Sequence, residues 1–146
     1  MAVLADPRPR ILAVDDDEDL LRLLELIFRR EDFPVSVASS GAAALEYVEV
    51  ERPDIILLDL MMPEMDGFTV LQRLKRRVRA PLVVCLTAKA DLLSRERAWR
   101  LGIDEYVMKP FAVPALVAAV RTLAERSWPE RQLHRQEALE TLVGPL

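Results

Sequence analysis

Ile55-Ile56-Leu57-Leu58-Asp59 is the most apolar run in the chain, and Met61-Met62-Pro63 follows it almost at once. Four bulky residues in a row, without alternation, describe a strand covered on both faces. A carboxylate that closes such a strand sits at its lip, where the chain breaks toward a loop. Two other runs close in a related way. Ile11-Leu12-Ala13-Val14 leads into Asp15-Asp16-Asp17, and Glu105-Tyr106-Val107-Met108 leads into Lys109-Pro110. Three strand ends thus offer an acid, an acid cluster and a lysine, the raw material of a metal-assisted phosphoryl site.

Outward from that run, short apolar stretches alternate with longer amphipathic ones. Pro34 to Ala38 and Leu82 to Leu86 supply two more strands. Between the strands lie helical patterns. Asp17 to Arg30 places Leu20, Leu23, Leu24, Ile27 and Phe28 on one stripe, and Ser40 can cap a helix carrying Ala44, Leu45 and Val48. Phe68, Leu71 and Leu74 mark a third helix that ends in Lys75-Arg76-Arg77. Leu93 to Leu101 is a fourth, stopped by Gly102 where a left-handed cap is wanted. Val113 to Ala124 is the fifth, with Leu116, Val120 and Leu123 facing one way. Strand and helix alternate five times, which calls for an α/β protein with a parallel sheet and helices on both sides. Doubly wound sheets place ligands beyond the carboxyl ends of their strands, where the winding reverses. All three polar features lie at such ends.

At 146 residues the chain fits one domain and at most a short appendage. Hydrophobic residues make up 51% and charged ones 30%, a globular balance rather than a disordered one. The net charge of -4 argues against general nucleic-acid binding through this domain. Cys85 is the only cysteine and lies inside an apolar run, so it reads as a small buried residue with no disulfide partner. A reducing cytoplasm is the expected location. No run reaches the ~18 apolar residues that span a bilayer, and no membrane association is expected. Met1 to Arg10 holds two prolines and no long apolar stretch, which fits neither a signal peptide nor an anchor.

Asp15, Asp16 and Asp59 together would set like charges within a few ångströms, and a pair 4 Å apart costs ~4 kcal/mol at an effective dielectric near 20. Such clusters shift their pKa values or bind a cation. An all-oxygen set suits magnesium, and the lack of nearby His or Cys argues against zinc. Taken alone, Asp15-Asp16 is an ordinary helix N-cap, Lys109 a solvated surface lysine, and Thr87 a turn or cap residue. Together they make another chemistry available. A carboxylate can attack phosphorus to give an acyl phosphate. A cation and the Lys109 ammonium would then neutralise the transferring oxygens, and the Thr87 hydroxyl, beside the small Ala88, could donate to one of them.

With Asp15-Asp16, Asp59, Met62-Pro63, Asp66-Gly67, Thr87-Ala88 and Lys109-Pro110-Phe111 in order, residues 9–126 closely resemble the receiver domain of two-component response regulators. The resemblance implies a flavodoxin-like fold of five parallel strands in the order 2-1-3-4-5, with five flanking helices. It implies that Asp59 takes a phosphoryl group from the phosphohistidine of a histidine kinase or phosphotransfer protein, as a stoichiometric acceptor rather than an enzyme. Asp16 then matches the direct Mg2+ ligand, Asp15 its acidic neighbour, and the Met61 backbone carbonyl a further ligand beside Asp59. Thr87 matches the switch hydroxyl, Lys109 the phosphate-pairing cation, and Tyr106 the switch aromatic. Output is expected from the face of the fourth helix, fifth strand and fifth helix, through a partner or a homodimer. Glu105, Arg121, Arg95, Arg97 and Arg100 fall on or near that face. A rival class of aspartyl-phosphate enzymes, the haloacid-dehalogenase type, needs a second aspartate two positions after the nucleophile, where this chain has Met61.

The two ends are expected to differ from the body. Residues 1–8 read as a disordered lead-in. Residues 127–146 read as a helical extension or linker, with Leu133, Leu139, Leu142 and Val143 on a loose stripe. They could pack on the domain, brace a dimer, or lead to an output domain, either DNA-binding or enzymatic. His134, the sole histidine, has no kinase motif around it and reads as a surface residue. A pseudo-receiver that only binds partners is a further alternative, which the intact acids, threonine and lysine oppose.

Overall fold

The buried strands explain the order of the whole chain. In the computed structural model, which describes residues 8–89 and 91–144, the elements follow one another as β1 (Ile11–Val14), α1 (Glu18–Arg30), β2 (Val35–Ala38), α2 (Gly41–Glu51), β3 (Ile55–Leu58), α3 (Gly67–Lys75), β4 (Leu82–Thr87), α4 (Leu92–Leu101), β5 (Glu105–Met108), α5 (Val113–Glu125) and α6 (Trp128–Val143). Of the expected lead-in, residues 1–7 lie outside the described residues. Every residue of β1 and β3 is buried, whereas β2 and β5, at the two edges, are largely half-buried. The sheet is parallel throughout in the order β2-β1-β3-β4-β5.

Side chains that alternate along each strand feed two separate layers. Leu12, Val14, Ile56, Leu58, Val83 and Cys85 point to the face covered by α2, α3 and α4. Ile11, Ala13, Ile55, Leu57, Val84 and Leu86 point to the face covered by α1 and α5. On α1 the buried stripe is Leu21, Leu24, Ile27 and Phe28. Leu23, expected on that stripe, is 45% exposed. Leucines occupy five of the eight positions from Leu20 to Ile27, so periodicity alone does not choose between neighbouring registers.

The helix ends are fixed by side chains. Asp17, Ser40, Asp66 and Asp91 accept backbone N–H bonds as N-caps of α1, α2, α3 and α4. The cap of α1 is therefore Asp17, which leaves Asp15 and Asp16 for another use. Gly102 closes α4 at φ 107°, as a left-handed cap requires. Beyond α5, Ser127 and Glu130 form a capping box that starts α6. This helix packs along α4, with Ala138, Leu139 and Leu142 against the α2–α4 layer. Leu133 and Val143, expected on its apolar stripe, are half exposed. Among the described residues no helix is long and apolar enough to cross a membrane.

Candidate phosphoryl site

Register builds the site. Val14 of β1 and Leu58 of β3 are partners in the sheet, and Asp59 N–H donates to the Val14 carbonyl at 3.1 Å. The next residues, Asp15 and Asp59, therefore leave the sheet side by side. They do so where the order β2-β1-β3 reverses the winding, the position at which open α/β sheets collect ligands. One carboxylate oxygen from each of Asp15, Asp16 and Asp59 lies within 4.8 Å of the other two. Asp15 and Asp59 are buried and Asp16 is exposed.

Lys109 arrives from the end of β5. Its backbone N–H donates to the Thr87 carbonyl at 3.0 Å, and the Lys109–Pro110 bond is cis. Its Nζ meets Asp15 Oδ2 at 2.6 Å and Asp59 Oδ2 at 3.2 Å. Two buried carboxylates thus share one ammonium, with the exposed Asp16 carboxylate beside them. Burial pushes the Asp15 carboxyl above its usual range, and the hydrogen bond from Lys109 only partly opposes that. Burial acts to lower Lys109, but its bond to Asp15 and the two carboxylate charges outweigh it and hold the ammonium above its ordinary value.

The loops are fastened by backbone bonds to the same acids. Asp17 N–H donates to Asp15 Oδ1 at 2.9 Å, and Met61 N–H to Asp59 Oδ1 at 3.0 Å. Gly67 supports this from behind: a Cβ there would collide with the backbone of Asp59 and Leu60. The signal in the sequence was Asp66-Gly67, but the reason is a close approach that only the fold reveals. Met61 leaves its side chain 55% exposed beside the site. It helps line an open cleft of about 520 Å³ with Asp66, Lys89 and Arg97.

Thr87 ends β4 fully buried, and its Oγ1 accepts the Lys89 N–H at 3.2 Å. Tyr106, on β5, donates its hydroxyl to the Lys89 carbonyl, and the Arg95 guanidinium lies 5.5 Å over its ring. Burial pushes the phenol up to about 12, so it is a neutral donor at physiological pH. Lys89 thus joins Thr87 to Tyr106 through its backbone, a link with no signal in residue type.

Some expected neighbours lie elsewhere. Arg121 pairs with Glu31 at the end of α1, not with the α4–β5 side. Arg97 lies 4.2 Å over the Phe68 ring. A cavity of about 710 Å³, lined in part by Arg52, Arg76, Arg77 and Arg79, opens at the amino ends of the strands, away from the acids.

A doubly wound parallel sheet with an acid triad and a lysine at its switch point defines a receiver-type fold. The response regulator receiver domain profile matches residues 11–121, and the chain belongs to that family. It is 43% identical over 120 residues to the DNA-binding response regulator MtrA of Mycolicibacterium smegmatis, covering 82% of this chain and 52% of that protein. It is 37% identical over 135 residues to the transcriptional regulatory protein BaeR of Escherichia coli, covering 92% of this chain and 56% of that one. The chain therefore spans a little over half the length of these relatives. Among solved structures, a Francisella response regulator receiver domain matches with a TM-score of 0.76 at 28% identity, over 82% of this chain and 98% of that one. A response regulator from Chloroflexus aurantiacus matches with a TM-score of 0.76 at 30% identity, over 82% and 99%.

The family usually employs Mg2+ at its acidic pocket, and the residues here fit it. The donors are carboxylate oxygens gathered within 4.8 Å, with neither imidazole nor thiolate among them, which suits a hard divalent cation. Asp15, Asp16 and Asp59 are the side chains that could hold it.

Proposed function

We propose that Asp59 accepts a phosphoryl group from the phosphohistidine of a partner kinase or phosphotransfer protein, and that the resulting acyl phosphate resets the Thr87–Lys89–Tyr106 connection. The observation that carries this is the pairing of Asp59 with both Asp15 and Lys109 at the winding reversal. The P–N bond of the donor breaks, a P–O bond forms to an Asp59 oxygen, and the imidazole leaves as the neutral base after gaining a proton. A bound Mg2+, held by Asp15, Asp16, Asp59 and the Met61 carbonyl, supplies charge neutralisation for the phosphoryl oxygens. Lys109 already touches Asp59 Oδ2, and it exchanges that contact for a phosphoryl oxygen on the same residue. Thr87 donates its hydroxyl to another.

The energies suit a switch. Each hydrogen bond to a charged group contributes ~1.5–3 kcal/mol, so the two contacts supply ~3–6 kcal/mol together. Swinging a two-state element from 1:99 to 99:1 takes ~5.5 kcal/mol. The quantities match, so modification of one carboxylate is enough to drive a conformational equilibrium. The chain acts once per phosphoryl group, as a signalling acceptor rather than a turnover enzyme. Its span of a little over half of MtrA and BaeR favours a second form of the same reading, in which this receiver governs an output domain that binds DNA.

Incubation with acetyl phosphate and Mg2+ tests the assignment. Intact-mass spectrometry is expected to show one phosphoryl adduct on the wild-type chain and none on Asp59→Asn. The same adduct on the variant would place the acceptor elsewhere and overturn the proposal.

A further inference from the structure

The surface between α4 and β5 is covered in cis by α6, and the cover is specific. Arg135 reaches from α6 across the end of α4. Its Nε donates to the Ile103 carbonyl at 3.1 Å, and its Nη2 to the Gly102 carbonyl at 3.0 Å and to Asp104 Oδ1 at 3.3 Å. One guanidinium thus satisfies two backbone acceptors of the α4–β5 turn and a buried carboxylate. At the preceding residue, His134 Nε2 lies 2.9 Å from Glu105 Oε2 and its ring stands edge-on to Trp99, 5.6 Å between centroids. Leu139 and Leu142 continue the contact on the apolar layer. Histidine, arginine and two leucines at i, i+1, i+5 and i+8 form one face of a helix that fits this surface.

A continuous set of hydrogen bonds leads from the phosphoryl site to that face. Thr87 Oγ1 accepts from Lys89 N–H, and the Lys89 carbonyl accepts from the Tyr106 hydroxyl. Tyr106 N–H donates to Glu105 Oε1 at 3.1 Å, while Glu105 Oε2 faces His134 and, at 3.8 Å, Arg126 where α5 turns toward α6. Glu105 therefore touches Tyr106 with one oxygen and the root and body of α6 with the other. The docked helix belongs to the arrangement in which the Thr87 hydroxyl is engaged with Lys89. A phosphoryl group on Asp59 accepts from the Thr87 O–H, and turning Oγ1 toward that group draws it away from Lys89 N–H, a displacement that reaches Glu105 through Lys89 and Tyr106.

We propose that the α4–β5 surface is a helix-docking site, that α6 is its occupant while Asp59 is unmodified, and that phosphorylation of Asp59 releases α6 and opens the surface to an amphipathic partner helix of the same pattern. This rests on the phosphoacceptor reading above. It adds what the switch moves. A ligand shifts such an equilibrium only by its differential affinity for the two states, and the position of Thr87 Oγ1, beneath Lys89 N–H in one state and turned toward the phosphoryl group in the other, supplies that difference. Linkage also runs the other way: a variant with a loosened α6 should phosphorylate more readily.

Amide hydrogen exchange on the full chain, read in peptides covering residues 128–143, tests this with and without acetyl phosphate and Mg2+. Exchange in α6 is expected to rise about tenfold on phosphorylation, as local opening is favoured. Arg135→Ala should show the fast exchange without any phosphoryl donor. Glu105→Ala should still take the phosphoryl group by intact mass, yet its α6 exchange should no longer respond. Unchanged or slower α6 exchange on a chain that carries the adduct overturns the inference and leaves the acceptor reading intact. Failure to form the adduct on the wild-type chain overturns both, and the mass measurement tells the two failures apart.

Discussion

Two buried carboxylate clusters stand at opposite ends of the sheet, with opposite ratios of acid to base. At the carboxyl ends of the strands, Asp15 and Asp59 share the ammonium of Lys109, with Asp16 close beside them. At the amino ends, Asp104 alone faces two cations. Its Oδ2 accepts from Val83 N–H at 2.9 Å and Lys75 Nζ at 3.4 Å, and its Oδ1 from Arg135 Nη2 at 3.3 Å. Lys75 spends a further donor on the Pro81 carbonyl. Burial lowers the Lys75 ammonium below its ordinary value, and the Asp104 charge beside it only partly opposes that. The second cluster is a closed account of donors and acceptors that joins α3, β4, β5 and α6. The first is left short of positive charge, which is the condition for admitting a cation. Buried ionic groups of similar depth thus serve opposite ends, and the acid-to-base ratio separates them.

The comparison breaks most directly at Asp104. Asp104→Ala leaves the buried Lys75 and the Val83 N–H without their shared acceptor, and losing one partner of a buried pair costs about 3–5 kcal/mol. For a chain of this size that lowers the melting temperature by roughly 10 °C or more, read by circular dichroism. A loss below about 1 kcal/mol would mean the cluster is not a buried support. Lys109→Gln comes next. It removes the positive charge that pairs with both Asp15 and Asp59, so stability in urea is expected to fall by about 1–3 kcal/mol. Phosphorylation should slow at the same time. A Lys109→Gln chain as stable as wild type would show that the acids already share their charge with solvent.

Much of this was legible before any coordinate. Unbroken apolar runs announced buried parallel strands, and the polar residues closing them announced the end at which the site sits. Asp59, Asp15 and Lys109 converge because sheet register is local and strict: once Val14 pairs with Leu58, the residue after each must meet its counterpart. The Asp104 cluster was illegible for the opposite reason. Lys75 looked like part of a basic helix end, and Arg135 lay in an extension that could pack on the domain, brace a dimer or lead to an output domain. Their meeting depends on how α6 lies across α4, a tertiary fact that periodicity does not encode. His134 likewise looked like a surface residue until Glu105 and Trp99 gave it neighbours. The α1 stripe shows the limit at closer range, since a leucine-rich run leaves the choice of Leu21 over Leu23 to packing.

The smallest expected effect carries the sharpest sign. Asp15 has its carboxyl pKa raised above 3.8, chiefly by burial and despite the bond from Lys109. Its folded form therefore binds a proton more tightly than its unfolded form, and ionised Asp15 opposes folding. That penalty is complete above the raised pKa and disappears as the pH falls through it to below 3.8. Asp15→Asn keeps one oxygen, which can accept from Lys109 at the cost of the Asp17 N–H bond that the other oxygen receives, and it removes the buried charge. In chelator-treated protein near neutral pH it should melt a few degrees above wild type, and the gap should close on acidification. An Asp104→Asn chain should do the reverse at neutral pH and melt below wild type, because there the charge is matched. If both asparagine variants shift stability the same way, the acid-to-base ratio does not distinguish the clusters, and the claim that one is held ready for chemistry loses its physical basis.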